Sequence, residues 1–352
     1  MARVSLRSSS PRSWACTALA TAFVVAGATP GGFVLPGLGG AAEARASEAR
    51  TSGTPPLPTV ASGSPCGQAP ASGSYTVSVV SGGRTRQALV HIPPSPPGAS
   101  LPVLFALHGA NQDAAFFEGY TGYSTIADGE GFVAVYPDVG VHRYWTISEH
   151  HGGLDDVRFV SDLLDRLQAS LCLDSQRVYA TGVSNGGGMA ARLACDLSTR
   201  IAAVAPVAGG YRSLPACRPA NPVSVLEVHG TADPTVPYRG SGRDGAGAVA
   251  PFLSGWVTRD ACAPTARRRR VSLRVLRYDW SGCGAGSAVA HLEVFGGAHQ
   301  LPGALPHDRG PRSTFSAPWQ VWRFLRDRFH AGVAPGPADS SASVPRSSSA
   351  NR

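Results

Sequence analysis

The chain has 352 residues, and its 31 basic side chains are all arginine, because the sequence contains no lysine. This composition excludes mechanisms that need a lysine, namely Schiff-base and pyridoxal phosphate chemistry, the Walker A loop and the Ser-x-x-Lys acyl-enzyme site. The formal net charge of +8 would ordinarily indicate an anionic partner, but an all-arginine basic set also fits a GC-rich coding bias.

The N-terminal residues 1–46 have the pattern of a secretory signal peptide. Arg3, Arg7 and Arg12 precede an uncharged apolar stretch at 14–28, which is shorter than the ~20 residues that a membrane-spanning helix needs. Two small-x-small cleavage sites follow this stretch. We therefore expect an extracellular protein without stable membrane insertion, and an uncleaved N-terminal anchor is the alternative.

Composition divides the rest of the chain into three parts. Residues 47–65 are rich in Ser, Thr, Pro, Gly and Ala, which predicts a flexible linker, and residues 331–352 have the same character, which predicts a disordered tail. Residues 66–330 form one candidate domain with 24 arginines and 20 acidic residues, so its excess of four equals the single run 267–270. We interpret that run as a solvated loop, and no basic–aromatic pattern predicts nucleic-acid binding.

Within residues 66–330, apolar runs of strand length alternate with segments of helical spacing. The predicted strands are 75–80, 85–92, 103–107, 132–136, 177–181, 201–207, 223–228, 271–278 and 290–295. The predicted helices are 157–171, 185–194, 248–258 and 319–329. This alternation predicts an α/β fold, a mostly parallel central sheet with helices on both faces.

The most informative motif is the G-x-S-x-G sequence at 182–186. It follows an apolar strand and precedes a helix, which is the context of the nucleophile elbow of the α/β-hydrolase fold. Ser184 would lie at the tip of a turn too tight for side chains at Gly182 and Gly186. The alternative is an ordinary glycine-rich loop, since the motif alone is common in a chain with 42 glycines.

The order of the acid and the histidine along the chain favours the hydrolase interpretation. In this fold both residues follow the serine. Asp233 comes just after the strand 223–228, and His299 lies in a glycine-rich loop after the strand 290–295. Each could be an ordinary turn or loop residue. Three such residues in this order at strand ends nevertheless predict a Ser184–Asp233–His299 triad.

An ester hydrolase with this triad also needs two backbone amides to stabilise the tetrahedral oxyanion. We expect the first from Asn185, which follows the nucleophile, and the second from the loop after the strand 103–107. Ala110 is the first choice there and Asn111 the second. His299 would take the proton of Ser184, Asp233 would hold the imidazole, and water would release the acid from an acyl-enzyme.

The cysteines predict a disulfide framework. Cys16 lies in the predicted signal, so six of the seven cysteines remain, and an even number in an exported chain favours disulfides, with 15 connectivities open in principle. Short loops favour Cys195–Cys217 and Cys262–Cys283, and Cys66–Cys172 is then the third pair. No Cys-x-x-Cys or His-x-x-x-His pattern occurs, so we predict neither a metal site nor a cofactor.

The domain resembles the polyhydroxybutyrate depolymerase and feruloyl esterase group of secreted α/β-hydrolases. The resemblance rests on segments spread over most of residues 66–330. They are Leu107-His108-Gly109 with Gln112, Tyr136-Pro137-Asp138, Asp155-Asp156-Val157, Arg177 to Gly187, Ala205 to Gly209, His229 to Asp233, and Gly296-Gly297 with His299. It implies carboxylic-ester hydrolysis outside the cell with the same triad.

Departures from the family pattern bear on the substrate. The family usually has tryptophan where this chain has Leu301, and Trp-Asn where it has Trp145-Thr146. Trp145 could line the acyl pocket or be a packing residue. The 22 residues after His330 are too few for a polymer-binding domain. We expect polyhydroxybutyrate-type or short-chain esters as substrates, with feruloyl or acetylxylan esters, or acyl transfer by the same triad, as alternatives. The oligomeric state stays open.

Overall fold

The computed structural model describes residues 54–57, 66, 71–148, 154–241, 247–304 and 315–330. The predicted signal peptide at 1–46 and the predicted tail at 331–352 lie outside the described residues, as does most of the predicted linker at 47–65. Residues 54–57 of that linker run parallel to the first strand, where the amide of Thr76 donates to the carbonyl oxygen of Pro55 at 2.8 Å. Leu57 is buried in the core, so the folded part begins before the predicted boundary at Cys66.

Alternating apolar runs and helical segments build one sheet flanked by helices in this part of the chain. The strands are β1 (Gly73–Ser81), β2 (Arg84–Ile92), β3 (Leu101–Leu107), β4 (Val133–Asp138), β5 (Leu173–Val183), β6 (Ala203–Val207), β7 (Ser224–Gly230), β8 (Arg267–Ser272), β9 (Val275–Trp280) and β10 (Val289–Val294). The helices are α1 (Ala114–Thr121), α2 (Tyr123–Glu130), α3 (Asp156–Gln168), α4 (Asn185–Asp196), α5 (Val249–Arg259) and α6 (Ala317–Leu325).

The strand order in the sheet is β1-β2-β4-β3-β5-β6-β7-β10-β9-β8. The central strands, from β4 to β10 in that order, are all parallel, whereas two antiparallel strands complete each side. The carboxyl ends of the parallel strands therefore meet at one edge, where ligands bind in open α/β sheets. This is the mostly parallel sheet with helices that the sequence predicts.

Side chains of β3 alternate between two hydrophobic clusters, one on each face of the sheet. Val103, Phe105 and Leu107 pack with α3, α4 and α5, whereas Leu104 and Ala106 pack with α1, α2 and α6. Because both faces of β3 are covered, the strand is apolar throughout. The helices thus lie on both faces, and the loops at the carboxyl edge start from a rigid, fully buried platform.

Three elements differ from the sequence prediction. No helix is predicted between 107 and 132, where α1 and α2 form. The predicted strand 271–278 is a hairpin, in which β8 and β9 are joined by the two-residue turn at Leu273 and Arg274. The predicted loop 267–270 is wrong, because these four arginines belong to β8, the edge strand of the sheet, where their side chains are exposed and protect the open edge from pairing with another chain.

The structure has the two short-loop disulfides and the remaining pair that the sequence predicts. The disulfides are Cys66–Cys172, Cys195–Cys217 and Cys262–Cys283. In the part of the chain that the structure describes, no helix is long and apolar enough to cross a membrane.

Candidate active site

Ser184 lies in a sharp turn between β5 and α4. Its backbone has φ 60° and ψ −119°, a strained conformation for a residue with a side chain. A Cβ on Gly182 would overlap the carbonyl oxygen of Gly186, and a Cβ on Gly186 would overlap that of Leu107. Only glycine fits at both flanking positions, so the turn has the geometry of a nucleophile elbow.

Neighbouring backbone holds this turn in place. The amide of Ser184 donates to the carbonyl oxygen of Val207 in β6 at 3.0 Å. The carbonyl oxygen of Ser184 accepts from the amides of Gly188 at 3.0 Å and Gly210 at 3.1 Å. Since β6 and α4 fix the backbone on both sides, the serine is presented at a defined position at the carboxyl edge of the sheet.

Asp233 and His299 lie at the same edge and are in direct contact. Val183, Val207 and Val228 are adjacent in the sheet register, so the loops that carry Ser184 and Asp233 begin close together. Nδ1 of His299 lies 2.7 Å from Oδ2 of Asp233. A carboxylate oxygen can only accept, so Nδ1 of His299 donates, and Nε2 is the acceptor nitrogen of the neutral ring.

Backbone amides hold the Asp233 carboxylate in place independently of its contact with His299. Its Oδ1 accepts from the amides of Thr235 and Val236, each at 2.8 Å. Its side chain is fully buried, whereas that of His299 is 19% exposed. A buried, oriented acid beside a partly exposed imidazole suits a histidine that exchanges protons with a bound substrate.

In the loop after β3, the amides on both sides of Ala110 are bonded to described groups other than a substrate. The amide of Gly109 donates to Oε1 of Gln112 at 2.8 Å, that of Asn111 to the carbonyl oxygen of Arg143 at 2.9 Å, and that of Gln112 to the carbonyl oxygen of Gly109 at 3.3 Å. Ala110 makes none of these bonds in this fully described loop. Asn111, the second choice from sequence, is therefore committed elsewhere, and Ala110 is favoured.

The buried side chain of Trp145 is hydrogen-bonded to the loop after β3. Its indole Nε1 donates to the carbonyl oxygen of His108 at 2.9 Å, and only 2% of its surface is exposed. This placement favours packing over the predicted contact with substrate. Nδ1 of His108 lies 2.8 Å from the carbonyl oxygen of Gly109. Burial lowers the pKa of His108, which favours the neutral ring. A carbonyl oxygen only accepts, so the Nδ1–H of His108 donates to the peptide that carries the Ala110 amide.

Asn185 joins the same assembly through its side chain. Its Oδ1 accepts from the amide of Trp145 at 2.7 Å, and its Nδ2 donates to the carbonyl oxygen of Trp145 at 3.1 Å. The backbone amide of Asn185 is the first of α4, and the first amides of a helix have no partner within the helix. The structure thus couples the two predicted oxyanion residues, Asn185 and the Ala110 loop, through Trp145.

Comparison with known proteins identifies the family. The family model described as Esterase PHB depolymerase matches residues 87–225. The putative esterase NocK of Nocardia uniformis subsp. tsuyamanensis is 32% identical over 252 residues, which cover 64% of this chain and 73% of that protein. The chain belongs to the polyhydroxybutyrate depolymerase and feruloyl esterase family. It is a carboxylic ester hydrolase by family, as the sequence resemblance implies.

Other members of this esterase family are also similar. Feruloyl esterase D of Neurospora crassa is 27% identical over 290 residues, covering 76% of this chain and 92% of that protein. The bifunctional acetylxylan esterase/xylanase XynS20E of Neocallimastix patriciarum is 31% identical over 212 residues, and the match spans 58% of this chain but 30% of that longer protein.

A solved structure agrees on the fold. An acetyl xylan esterase from Aspergillus awamori has a TM-score of 0.50 at 14% identity, covering 64% of this chain and 94% of that chain. At this identity the likeness shows the fold alone. The fold is that of the α/β-hydrolases.

One departure from the family pattern now has a structural description. Leu301, where family members usually have tryptophan, is 1% exposed, and its amide donates to the hydroxyl of Tyr120 at 3.0 Å. The leucine thus packs into the core cluster of α1, α2 and α6. A side chain in this position anchors the loop two residues after His299.

Two buried residues next to the site are absent from the sequence prediction. Glu227 and His229 lie on β7 and are 0% and 1% exposed. Nδ1 of His229 lies 2.8 Å from Oε1 of Glu227, and its Nε2 lies 3.4 Å from Oδ2 of Asp233. The available signal was the His-Gly-Thr-Ala-Asp sequence at 229–233, in which the histidine lies at the end of the strand, four residues before the acid. Across the described ranges, no group of three or more His, Cys, Asp or Glu residues is arranged to hold a metal.

Proposed function

We propose that this protein is a secreted serine esterase in which Ser184, His299 and Asp233 form the catalytic triad. The observation that carries the proposal is the 2.7 Å contact between Nδ1 of His299 and Oδ2 of Asp233 at the sheet edge where the Ser184 elbow ends. The strained serine backbone supports it further, as does the place of Ala110 between amides that are bonded elsewhere. Family membership supports the reaction class.

The arrangement suits acyl transfer through a covalent intermediate. Nε2 of His299 removes the proton of Ser184 as its oxygen attacks the ester carbonyl, and the amides of Asn185 and Ala110 stabilise the oxyanion. His299 returns the proton to the leaving alcohol. Water, activated by the same histidine, then releases the acid and restores the serine.

For the substrate, we propose short acyl esters, with acetyl or feruloyl esters of plant cell-wall polysaccharides as the favoured natural class. The acetylxylan and feruloyl esterases named above are similar over 58% and 76% of this chain, and this similarity favours such esters over hydroxybutyrate polymers. Acyl transfer to an alcohol remains the second candidate, because the same acyl-enzyme would serve both reactions.

We also propose that the enzyme acts outside the cell. Three disulfides support this location, since such bonds persist in oxidising compartments and are rare in the cytosol.

The triad is tested by single substitutions assayed on p-nitrophenyl acetate. We expect Ser184→Ala and His299→Ala each to lower kcat/KM by about 10⁴- to 10⁶-fold, and Ser184→Ala to abolish labelling by a fluorophosphonate. Ser254→Ala, which removes an exposed hydroxyl of α5, is the matched control and should retain full activity. Unchanged hydrolysis in Ser184→Ala would exclude the proposed triad.

The substrate class is tested by one side-by-side assay of methyl ferulate, a hydroxybutyrate oligomer and acetylated xylan. We expect the highest kcat/KM on acetylated xylan or methyl ferulate. Preference for the hydroxybutyrate oligomer would contradict the proposed natural class. Formation of a new ester with an added alcohol, in excess over hydrolysis, would identify an acyltransferase.

A further inference from the structure

Behind Asp233 lies a buried cluster of ionisable groups that the proposed mechanism does not use. Glu227 and His229 are two residues apart on β7, so their side chains lie on the same face of the sheet. His291 and Glu293 of β10 stand beside them in the parallel register. The face is completed by the hydroxyl groups of Tyr211 and Tyr238.

Both ring nitrogens of His229 face groups that only accept hydrogen bonds. Nε2 lies 2.9 Å from the carbonyl oxygen of Val236 and 3.4 Å from Oδ2 of Asp233. Nδ1 lies 2.8 Å from Oε1 of Glu227. A neutral imidazole has one donor and one acceptor nitrogen, so it could satisfy only one side of this arrangement. The ring must donate from both nitrogens.

The alternative, a proton on Glu227 instead, conflicts with the other contacts of that carboxylate. Its Oε1 also accepts from the hydroxyl of Tyr211 at 3.0 Å, and its Oε2 lies 2.7 Å from Nδ1 of His291. Burial would raise the pKa of Glu227, but the facing His229 and His291 rings outweigh it and lower that pKa to about 2. Burial likewise would lower the pKa of His229, and the Glu227 carboxylate outweighs this and raises it.

We propose that His229 is a protonated imidazolium in the folded enzyme and a positioning residue for the Asp233–His299 pair. The inference rests on the proposed triad for its catalytic consequence, but the charge of His229 stands on its own geometry. The imidazolium lies between two fully buried carboxylates, Glu227 and Asp233, which would otherwise lack a counter-charge.

The charge of His229 affects the electrostatic potential at His299, and therefore how tightly His299 holds a proton. With His229 protonated, the buried cluster of Glu227, His229 and Asp233 has one net negative charge, and the positive charge that His299 gains with the serine proton balances it. Without that charge the resting cluster would have two net negative charges. A more negative surrounding would hold the proton on His299 to higher pH and so keep the enzyme inactive there.

The groups that face His229 come from four segments. They are Glu227 on β7, Asp233 and Tyr238 on the following loop, His291 and Glu293 on β10, and Tyr211 after β6. Glu293 accepts from the hydroxyl of Tyr278 at 2.8 Å, and the ring of Tyr238 meets that of His229 edge-on at 5.8 Å. None of these described groups is an arginine that could replace the charge of His229.

The kinetic test compares His229→Gln with His291→Gln. Glutamine keeps a donor for the Val236 carbonyl oxygen but has no charge. We expect His229→Gln to move the acid limb of the kcat/KM profile upward by about one pH unit. His291→Gln is the matched control, because it removes the other histidine that contacts Glu227. Nε2 of His291 lies 2.8 Å from the Tyr238 hydroxyl, which can donate or accept, so a neutral ring suffices there and the limb should not move.

The charge itself is measured on the wild-type enzyme by ¹⁵N NMR of histidine side chains between about pH 5 and about pH 9. We expect one buried ring, assigned through its loss in His229→Gln, to keep both nitrogens protonated throughout. A neutral ring at pH 7, or equal acid limbs in the two variants, would overturn the inference. A protonated ring in an enzyme that hydrolyses no ester would instead support the charge assignment and contradict the proposed function.

Discussion

Asp260 places a carboxyl group in an environment that disfavours its charge. It is the C-cap residue of α5 and is fully buried. The C-terminal end of a helix has a partial negative charge, which disfavours a second negative charge there. Burial raises the pKa of Asp260 to about 6. The folded state therefore holds a proton more tightly than the unfolded chain, and stability is lost as pH rises from about 4 through about 6.

Replacement of Asp260 by asparagine should stabilise the protein at neutral pH. We expect Asp260→Asn to raise the free energy of unfolding at pH 8 by about 1–3 kcal/mol, and to change it much less at about pH 4, where the folded carboxyl is protonated and that of the unfolded chain is about half protonated. Urea denaturation at the two pH values measures this. Asp327→Asn, at a side chain that is 72% exposed, controls for the loss of one carboxylate, and a destabilised Asp260→Asn at pH 8 would refute the argument.

At the scale of elements, the loop between β3 and α1 depends on one tryptophan for its shape. The Trp145 indole donates to the carbonyl oxygen of His108. This oxygen belongs to the peptide group between residues 108 and 109, and the next peptide group carries the amide of Ala110. Trp145→Phe removes this bond but keeps most of the packing. We expect kcat on p-nitrophenyl acetate to fall about tenfold with little change in KM, because a misdirected oxyanion donor acts mainly in the transition state.

Trp322→Phe is the matched control for this loop. The Trp322 indole is also buried and donates to Oε2 of Glu130 at 2.9 Å, but it lies between α6 and α2. Both substitutions remove one buried N–H bond, so both should cost similar stability. Equal kcat values for the two variants would show that Trp145 has no part in shaping the oxyanion loop.

The elements that sequence predicts well are those whose periodicity is imposed by the core. β3, β4 and β6 are nearly continuous apolar runs because they are buried on both faces. α1 and α2 have only eight residues each and include glycine, so their helical spacing is weak. Their end signals were nevertheless present: Asp113 caps α1, and Gly122 and Gly131 follow the two helices with positive φ.

The residues of the candidate site also fall into two groups, those that a local sequence pattern marks and those that it does not. Ser184, Asp233 and His299 follow strands and lie in glycine-rich turns, so a local pattern marks each of them. Glu227 and His229 are polar residues inside an apolar strand, and their roles depend on a contact with a loop and with β10. No local pattern encodes which buried groups meet across a sheet. The β8 arginines show the same limit, since strand pairing with β9 decides their structure.

At the scale of the whole molecule, the disulfides close loops of very different length. The Cys66–Cys172 disulfide has a sequence separation of 106 and encloses β1 to β4 with α1 to α3. Cys195–Cys217 has a separation of 22 and closes a short segment from α4 past β6. In the chain-entropy view, a cross-link restricts the unfolded chain more when its loop is longer.

Removal of the long-range disulfide should therefore cost more stability than removal of a short one. We expect the double variant Cys66→Ser/Cys172→Ser to lose about 4–5 kcal/mol of unfolding free energy and Cys195→Ser/Cys217→Ser about 3 kcal/mol, as measured by urea denaturation. Neither pair touches the described contacts of Ser184, Asp233 or His299, so kcat/KM should be preserved wherever the variants remain folded. A larger loss in the Cys195–Cys217 variant would mean that local packing at α4, rather than the unfolded chain, determines what these bonds contribute.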